Sequence, residues 1–258
     1  MRSNRPLLFC TAFALKKYDI MQYPKSQKYE RLIKEKIMGP NPVKLTEELM
    51  TKVVIPKGSL VMDLGSGTGI TSVFLAKEYG LRVIAADLWS NPTDNMRFFE
   101  SEGLSSSDIM PIHADANNLP FAHEFFDAVV STDSYNYFGR DSEYLGEKLL
   151  PFVKSGGLIC ICVPGMKKDC HYDLPKELLA SWTPEQLDYI HDAEYWRSII
   201  EQTAGVTIIS LEEMESNEEV WADWLACENE YAVSDRKAFD AGGGKYLNFI
   251  SIIVQKKE

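Results

Sequence analysis

Two patterns of apolar positions alternate along this 258-residue chain. Leu60–Leu64, Arg82–Ala86, Ile109–Ala114, Phe125–Ser131 and Leu158–Val163 are short, nearly continuous apolar runs, as expected of parallel strands buried on both faces. Between them lie helical stretches with apolar residues three and four apart: Thr71–Tyr79, closed by Gly80, then Asn91–Gly103 and Asp141–Pro151, where Leu145, Leu149 and Leu150 share a side. Ahead of the first strand, Tyr29, Leu32, Ile33 and Ile37 predict a helix broken at Met38-Gly39-Pro40-Asn41-Pro42, and a second helix follows from about Val43 to Val53. Beyond the fifth strand the chain is irregular up to Thr183. Pro184 then opens a helix reaching Gly205, with Leu187, Ile190, Tyr195, Trp196, Ile199 and Ile200 on its apolar face. Val206–Leu211 and Tyr246–Gln255 bring the strands to seven. Trp221, Trp224 and Tyr231 fall on a helix between those two, followed by Gly242, Gly243 and Gly244, read as a hinge or disordered loop. Helices between the first five strands predict an α/β fold: a doubly wound, mostly parallel seven-stranded, Rossmann-like sheet with its last strand antiparallel.

Leu60 to Gly69 is the stretch around which this sheet is organised. A short strand runs into Gly65, Gly67 and Gly69, whose alternation lets the backbone turn sharply and lie against a ligand. The amide groups and positive dipole end of the following helix favour an anionic group there. A dinucleotide fingerprint requires glycine at the sixth place, where Ile70 stands, and a phosphate loop requires a terminal Gly-Lys-Ser/Thr, which is absent.

What remains, Asp63 two residues before the first glycine and then three alternate glycines, resembles motif I of the class I S-adenosylmethionine-dependent methyltransferases. In that family the loop passes under the methionine part of the cofactor. Asp87, at the end of the second strand, matches the acid that accepts both ribose hydroxyls, with Leu88 placed to lie on the adenine. Asp115 matches the acid that meets the adenine amino group, and Ala116 supplies a backbone amide. Leu119-Pro120-Phe121 and the run Phe125 to Ser131 are similar to the type-11 group, which includes the quinone C-methyltransferases, and the Gly156-Gly157 turn precedes the fifth strand as it does there. The resemblance, covering Leu60 to Val163, implies S-adenosyl-L-methionine as cofactor, held by Asp63, Gly65, Gly67, Gly69, Asp87, Leu88, Asp115, Ala116 and Ser131.

Composition narrows the function. A net charge of −11 argues against a nucleic-acid surface, and the loop Ser131 to Tyr135 lacks the prolines of enzymes that methylate base amines. Thirteen acidic residues against the single Arg197 lie between Glu185 and Glu230, solvated helix faces or a field that draws in an amine. Five cysteines without C-x-x-C spacing point to a reducing, cytoplasmic setting without a structural zinc. Residues 1–22, with Arg2 and Arg5 before a short apolar stretch, read as a leader. Residues 23–258 form a single domain, in which 23–57 make a helical lid and 164–204 and 212–245 cap the substrate. No stretch is long enough to span a membrane, and oligomeric state is not legible.

Methyl transfer from a sulfonium is an in-line displacement that needs no metal. Asp133 and Tyr135, on the loop after the fourth strand, are the candidate catalytic residues; Tyr23, Tyr137, His191 and Trp196 are candidate substrate contacts, with Tyr18 and Tyr29 further candidates to close over the cofactor. His113 reads as a structural histidine. The acceptor is a small molecule bearing an amine, a hydroxyl or an activated carbon. The alternative is a non-catalytic S-adenosylmethionine-binding sensor or partner subunit. A metal-dependent variant would use Asp133, Asp169 and Asp173, whose spacing is unspecific.

Overall fold

The computed structural model describes residues 22–258, so Tyr18 and the assigned leader, apart from Gln22, lie outside the described residues. In chain order the principal elements are α1 (Glu30–Lys36), α2 (Pro42–Thr51), β1 (Leu60–Leu64), α3 (Ile70–Tyr79), β2 (Arg82–Asp87), α4 (Pro92–Ser101), β3 (Ile109–His113), β4 (Phe126–Thr132), β5 (Val153–Met166), α5 (Pro184–Leu187), α6 (Ala193–Ile200), β6 (Val206–Glu213), α7 (Asn217–Leu225), α8 (Glu230–Asp240) and β7 (Leu247–Lys256). They build one seven-stranded sheet in the order β3-β2-β1-β4-β5-β7-β6. The first five strands pair in parallel, and β7 runs antiparallel to both β5 and β6.

The two-residue period of the strands sorts their side chains onto two cores. Val61, Val83, Ala85, Ala128, Val130, Cys160 and Cys162 face α2, α3 and α7. Met62, Leu64, Ala86, Val129, Ile159, Ile161 and Val163 pack with Tyr135, Leu145, Trp196 and Ile200 on the opposite face. Cys160 and Cys162 are therefore packing residues of one core, and burial pushes the Cys160 thiol up to about 12.

Several elements differ from the sequence expectation. Asp141–Pro151 is no continuous α-helix: one wide turn, Leu145–Leu149, is followed by a tight one, Leu150–Phe152, because Pro151 lacks an amide hydrogen to continue the ladder. The helix opened by Pro184 stops at Leu187 and restarts at Ala193, where the side chain of Asp192 accepts from the Tyr195 amide (2.9 Å) and sets a new N-cap. Trp221 and Trp224 lie on α7, whereas Tyr231 lies on α8, which begins afresh at the Asn229 cap. The glycine triplet is an ordered turn: Gly242 adopts φ +88° and the next residues wind into a tight turn packed on α8. His113 closes β3 and is exposed. Among the described residues no helix is long and apolar enough to cross a membrane.

Candidate functional site

A cleft of about 420 Å³ opens at the C-terminal ends of β1 to β4, between the glycine loop and the segment Lys36–Pro42 that joins α1 to α2. This is where an open α/β sheet leaves a crevice, because β1 and β4 are neighbours while the chain leaves β1 towards β2. The glycine loop is fastened from behind. Buried Asp63 accepts from the Thr71 and Ser72 hydroxyls (2.6 Å each), tying the first turn of α3 to β1, and burial pushes its carboxyl up to about 6. The amides of Gly65 and Ser66 both donate to the Ala86 carbonyl, at 2.8 and 3.2 Å. Gly65 has φ +76°, and a β-carbon there would run into the side chain of Ser134.

Three carboxylates reach the cleft. Asp87 accepts from the amides of Gly67 (2.9 Å), Trp89 (2.9 Å) and Ser90 (2.6 Å), which locks the loop against the end of β2 while one lone pair remains for a ligand. Asp115 accepts from the Asn117 amide (2.8 Å) through one oxygen. Asp133 is half-buried in a left-handed conformation (φ +57°) that aspartate adopts at some cost, and burial pushes its carboxyl up to about 7. Lys36 is the lone basic residue among those lining the cleft, so the cleft is acidic overall and favours a cationic ligand.

The structure brings together eight of the residues singled out from sequence: Gly65, Gly67, Asp87, Leu88, Asp115, Ala116, Asp133 and Tyr137 all line the cleft. It places eight others elsewhere. Asp63 lies behind the loop, and Gly69 caps α3 over the ring of Phe99. Ser131 is buried and donates to the Leu64 carbonyl (2.9 Å). Tyr135 is fully buried against Phe138, Tyr144 and Trp196, and Trp196 is equally enclosed, so neither reaches the cleft. Tyr23 is buried with its hydroxyl on Glu48 (3.1 Å), and Tyr29 bonds Glu78. His191 stacks on Tyr195 beyond the end of β5.

From the N-terminal part it is thus the Lys36–Pro42 segment, rather than the tyrosines, that lines the cleft. Of the two stretches expected to cap the substrate, neither lines the cleft; residues 164–166 and 212–213 belong to strands β5 and β6. Trp221 packs on Trp182, Phe239 and Phe249 in the core instead.

Sequence reasoning missed four participants. A β-carbon on Gly39 would lie 2.7 Å from the Asp133 carboxylate, so glycine there permits the Lys36–Pro42 segment to lie close to that acid. Met38 reaches over Gly67. Asn95 donates to the Gly67 carbonyl (2.9 Å) and to Ser90, bracing the loop from α4. Exposed Trp89 meets Tyr137 edge-on at 6.5 Å, and Tyr137 leans on Tyr189 at 5.4 Å, forming an aromatic rim. Gly39 carried a signal, the Gly-Pro-Asn-Pro break, but it read only as a helix stop.

Residues 61–157 match the family model described as a methyltransferase domain. A demethylmenaquinone methyltransferase of Clavibacter sepedonicus is 36% identical over 114 residues, 43% of this chain and 44% of the relative. A phosphoethanolamine N-methyltransferase of Zea mays is 23% identical over 189 residues, 71% of this chain and 35% of the relative. Among solved structures, phosphoethanolamine N-methyltransferase 2 of Haemonchus contortus in complex with S-adenosyl-L-methionine superposes with a TM-score of 0.69 at 19% identity, over 93% of this chain and 59% of that one. The chain therefore spans less than half the length of the two curated relatives and shares the fold of the third.

Proposed function

We propose that this chain, which belongs to the class I S-adenosylmethionine-dependent methyltransferases with type-11-like motifs, binds S-adenosyl-L-methionine in the acidic cleft and transfers its methyl group to a small amine. The carrying observation is the charge of the cleft: Asp87, Asp115 and Asp133 against Lys36 suit a ligand whose sulfonium and ammonium groups are cationic.

In this reading Asp87 accepts a ribose hydroxyl with the lone pair left over from its three amide bonds. Asp115 accepts the adenine amino group, Leu88 lies against the ring, and Gly65 and Gly67 let the methionine part approach the backbone. Asp63 is a positioning residue, since it holds the helix start that shapes the loop.

An acceptor ammonium must lose a proton before it attacks carbon. Asp133, with a carboxyl near 7 at the cleft wall, matches that task at neutral pH, and the faces of Trp89 and Tyr137 attract the cationic form before it reacts. Tyr137, not the enclosed Tyr135, is the tyrosine that meets the acceptor. The lid segment at Met38 and Gly39 excludes water while donor and nucleophile are held in line, an orientation worth about 7–11 kcal/mol in favourable model reactions.

The test is incubation with isotopically labelled S-adenosylmethionine and a panel of small amines, phenols and carbon acids, with mass spectrometry of the products. Labelled methylamines support the reading. Methylation confined to phenols or carbon acids overturns the amine assignment, and tight binding without any product supports the non-catalytic alternative.

A further inference from the structure

Away from the cleft, three ligating side chains converge beyond the end of β5. Asp169 and His171 lie on the loop that follows this strand, and His191 lies in the turn before α6. One ligand atom from each falls within 4.8 Å of the other two. Asp169 Oδ2 stands 3.1 Å from His171 Nδ1 and 4.0 Å from His191 Nδ1.

The hydrogen bonding around the cluster leaves a deficit of positive charge at its centre. His171 Nε2 faces the Leu187 carbonyl at 3.0 Å, and a carbonyl only accepts, so this nitrogen carries the ring proton. Nδ1 of neutral His171 is then a bare lone pair pointing at a carboxylate. Two acceptors at 3.1 Å need a cation between them, either a second proton or a metal ion. His191 decides between these. It is 8% exposed, both of its ring nitrogens are buried without a hydrogen-bond partner, and its ring is held on the face of Tyr195 at 3.5 Å. A second proton on His171 would satisfy Asp169 and leave His191 orphaned, at the cost of a buried unsatisfied polar group. A metal ion gives each of the three residues a partner, His191 through one of its two ring nitrogens.

We propose that Asp169, His171 and His191 form a binding site for a divalent transition ion of the zinc class, which clasps the loop after β5 to the turn before α6. Two imidazoles and one carboxylate select such an ion over magnesium or calcium, which prefer all-oxygen shells. Ligands of a tetrahedral ion with bonds of about 2.0–2.1 Å lie roughly 3.4 Å apart, so side-chain rotation alone closes the cluster. The surroundings have the form of an outer shell: the Leu187 carbonyl fixes the His171 tautomer, and the Asp169 Oδ1 atom accepts from the His171 amide at 3.0 Å. Asp169, half-exposed, gives the ion its route in and leaves a position for water. The segments joined are already in register, since the Met166 amide donates to the His191 carbonyl (3.1 Å) and the Asp169 amide to Asp192 (3.0 Å). The inference is independent of the methyl-transfer reading.

The test uses tag-free full-length protein, stripped with chelator, then titrated with Co2+ followed by absorption and with Zn2+ followed by calorimetry. The expected result is one equivalent of each ion bound, with Asp169→Asn and His191→Asn each weakening affinity at least tenfold and Cys170→Ser leaving it unchanged. Zn2+ should also slow hydrogen exchange in residues 167–192 of the wild type and not of Asp169→Asn. Because Asp169 is on an exposed loop, its variant folds even where replacing buried His191 does not. Affinity unaltered by Asp169→Asn, loss of binding in Cys170→Ser, or unchanged exchange on adding Zn2+ would each overturn the site.

Discussion

Replacing Asp87 with asparagine isolates the acid that closes β2. The carboxylate accepts from Trp89 and Ser90 through one oxygen and from Gly67 through the other. An asparagine can keep its amide oxygen on Trp89 and Ser90, which stabilises the turn, but it then presents a donor to the Gly67 amide and to the ribose. The loss is one charge-assisted bond to the ligand and the preorganising bond to the loop. With about 1.5–3 kcal/mol for a hydrogen bond to a charged group, this amounts to about 2–4 kcal/mol, or roughly 30- to 1,000-fold in Kd. Calorimetry with S-adenosylhomocysteine measures this without turnover, and thermal unfolding checks that the variant is folded. A folded Asp87→Asn protein with wild-type affinity refutes the placement of the ribose at this carboxylate.

Three further outcomes follow from the geometry. Asp133 and Asp63 have carboxyls raised to about 7 and about 6 from 3.8, so the folded chain binds more protons than the unfolded one in between, and stability declines as pH rises through that interval. Urea unfolding across that range should show the decline, with Asp133→Asn flattening its upper part and also abolishing a rise in methyl-transfer rate near pH 7; a rate profile identical in the variant removes Asp133 as proton acceptor. Gly39→Ala forces its new β-carbon to within 2.7 Å of the Asp133 carboxylate, so acceptor turnover should drop by about tenfold or more while cofactor affinity changes less; equal kinetics in both proteins would place the lid segment elsewhere during catalysis. Tyr135→Phe removes a buried hydroxyl without a partner and should hold or raise the melting temperature with activity intact, whereas Tyr137→Ala should raise KM for the acceptor; the reverse pattern would return Tyr135 to the site.

Much of this molecule is a local property of its sequence. Strand β1, the alternating glycines and the start of α3 are contiguous, and the φ values of +76°, +53° and +85° at Gly65, Gly67 and Gly69 follow from the one residue type that adopts them without strain. That Asp87 and Asp115 line one cleft is local in the same sense, since Asp87 ends β2, Asp115 follows β3 by two residues, and the parallel order brings those strand ends to one edge of the sheet. The two-residue period of a strand likewise puts Cys160 and Cys162 in one core and Ile159 and Ile161 in the other.

What the tertiary structure alone decided is which side chains of the loops meet. Tyr135 and Tyr137 are two residues apart on one tight turn, yet packing against Trp196 and Tyr144 encloses the first and leaves the second at the cleft. Gly39 meets Asp133 and Asn95 braces Gly67 through contacts between segments far apart in sequence, which no local pattern encodes. His191, a candidate substrate contact from sequence, falls within the helix expected from Pro184. The Asp192 cap restarts the helix after it, and the strand-like contact with Gly165 turns the imidazole towards Asp169 and His171. Backbone preferences act over a few residues and can be read along the chain, whereas the direction of a loop side chain is set by the packing of distant segments around it.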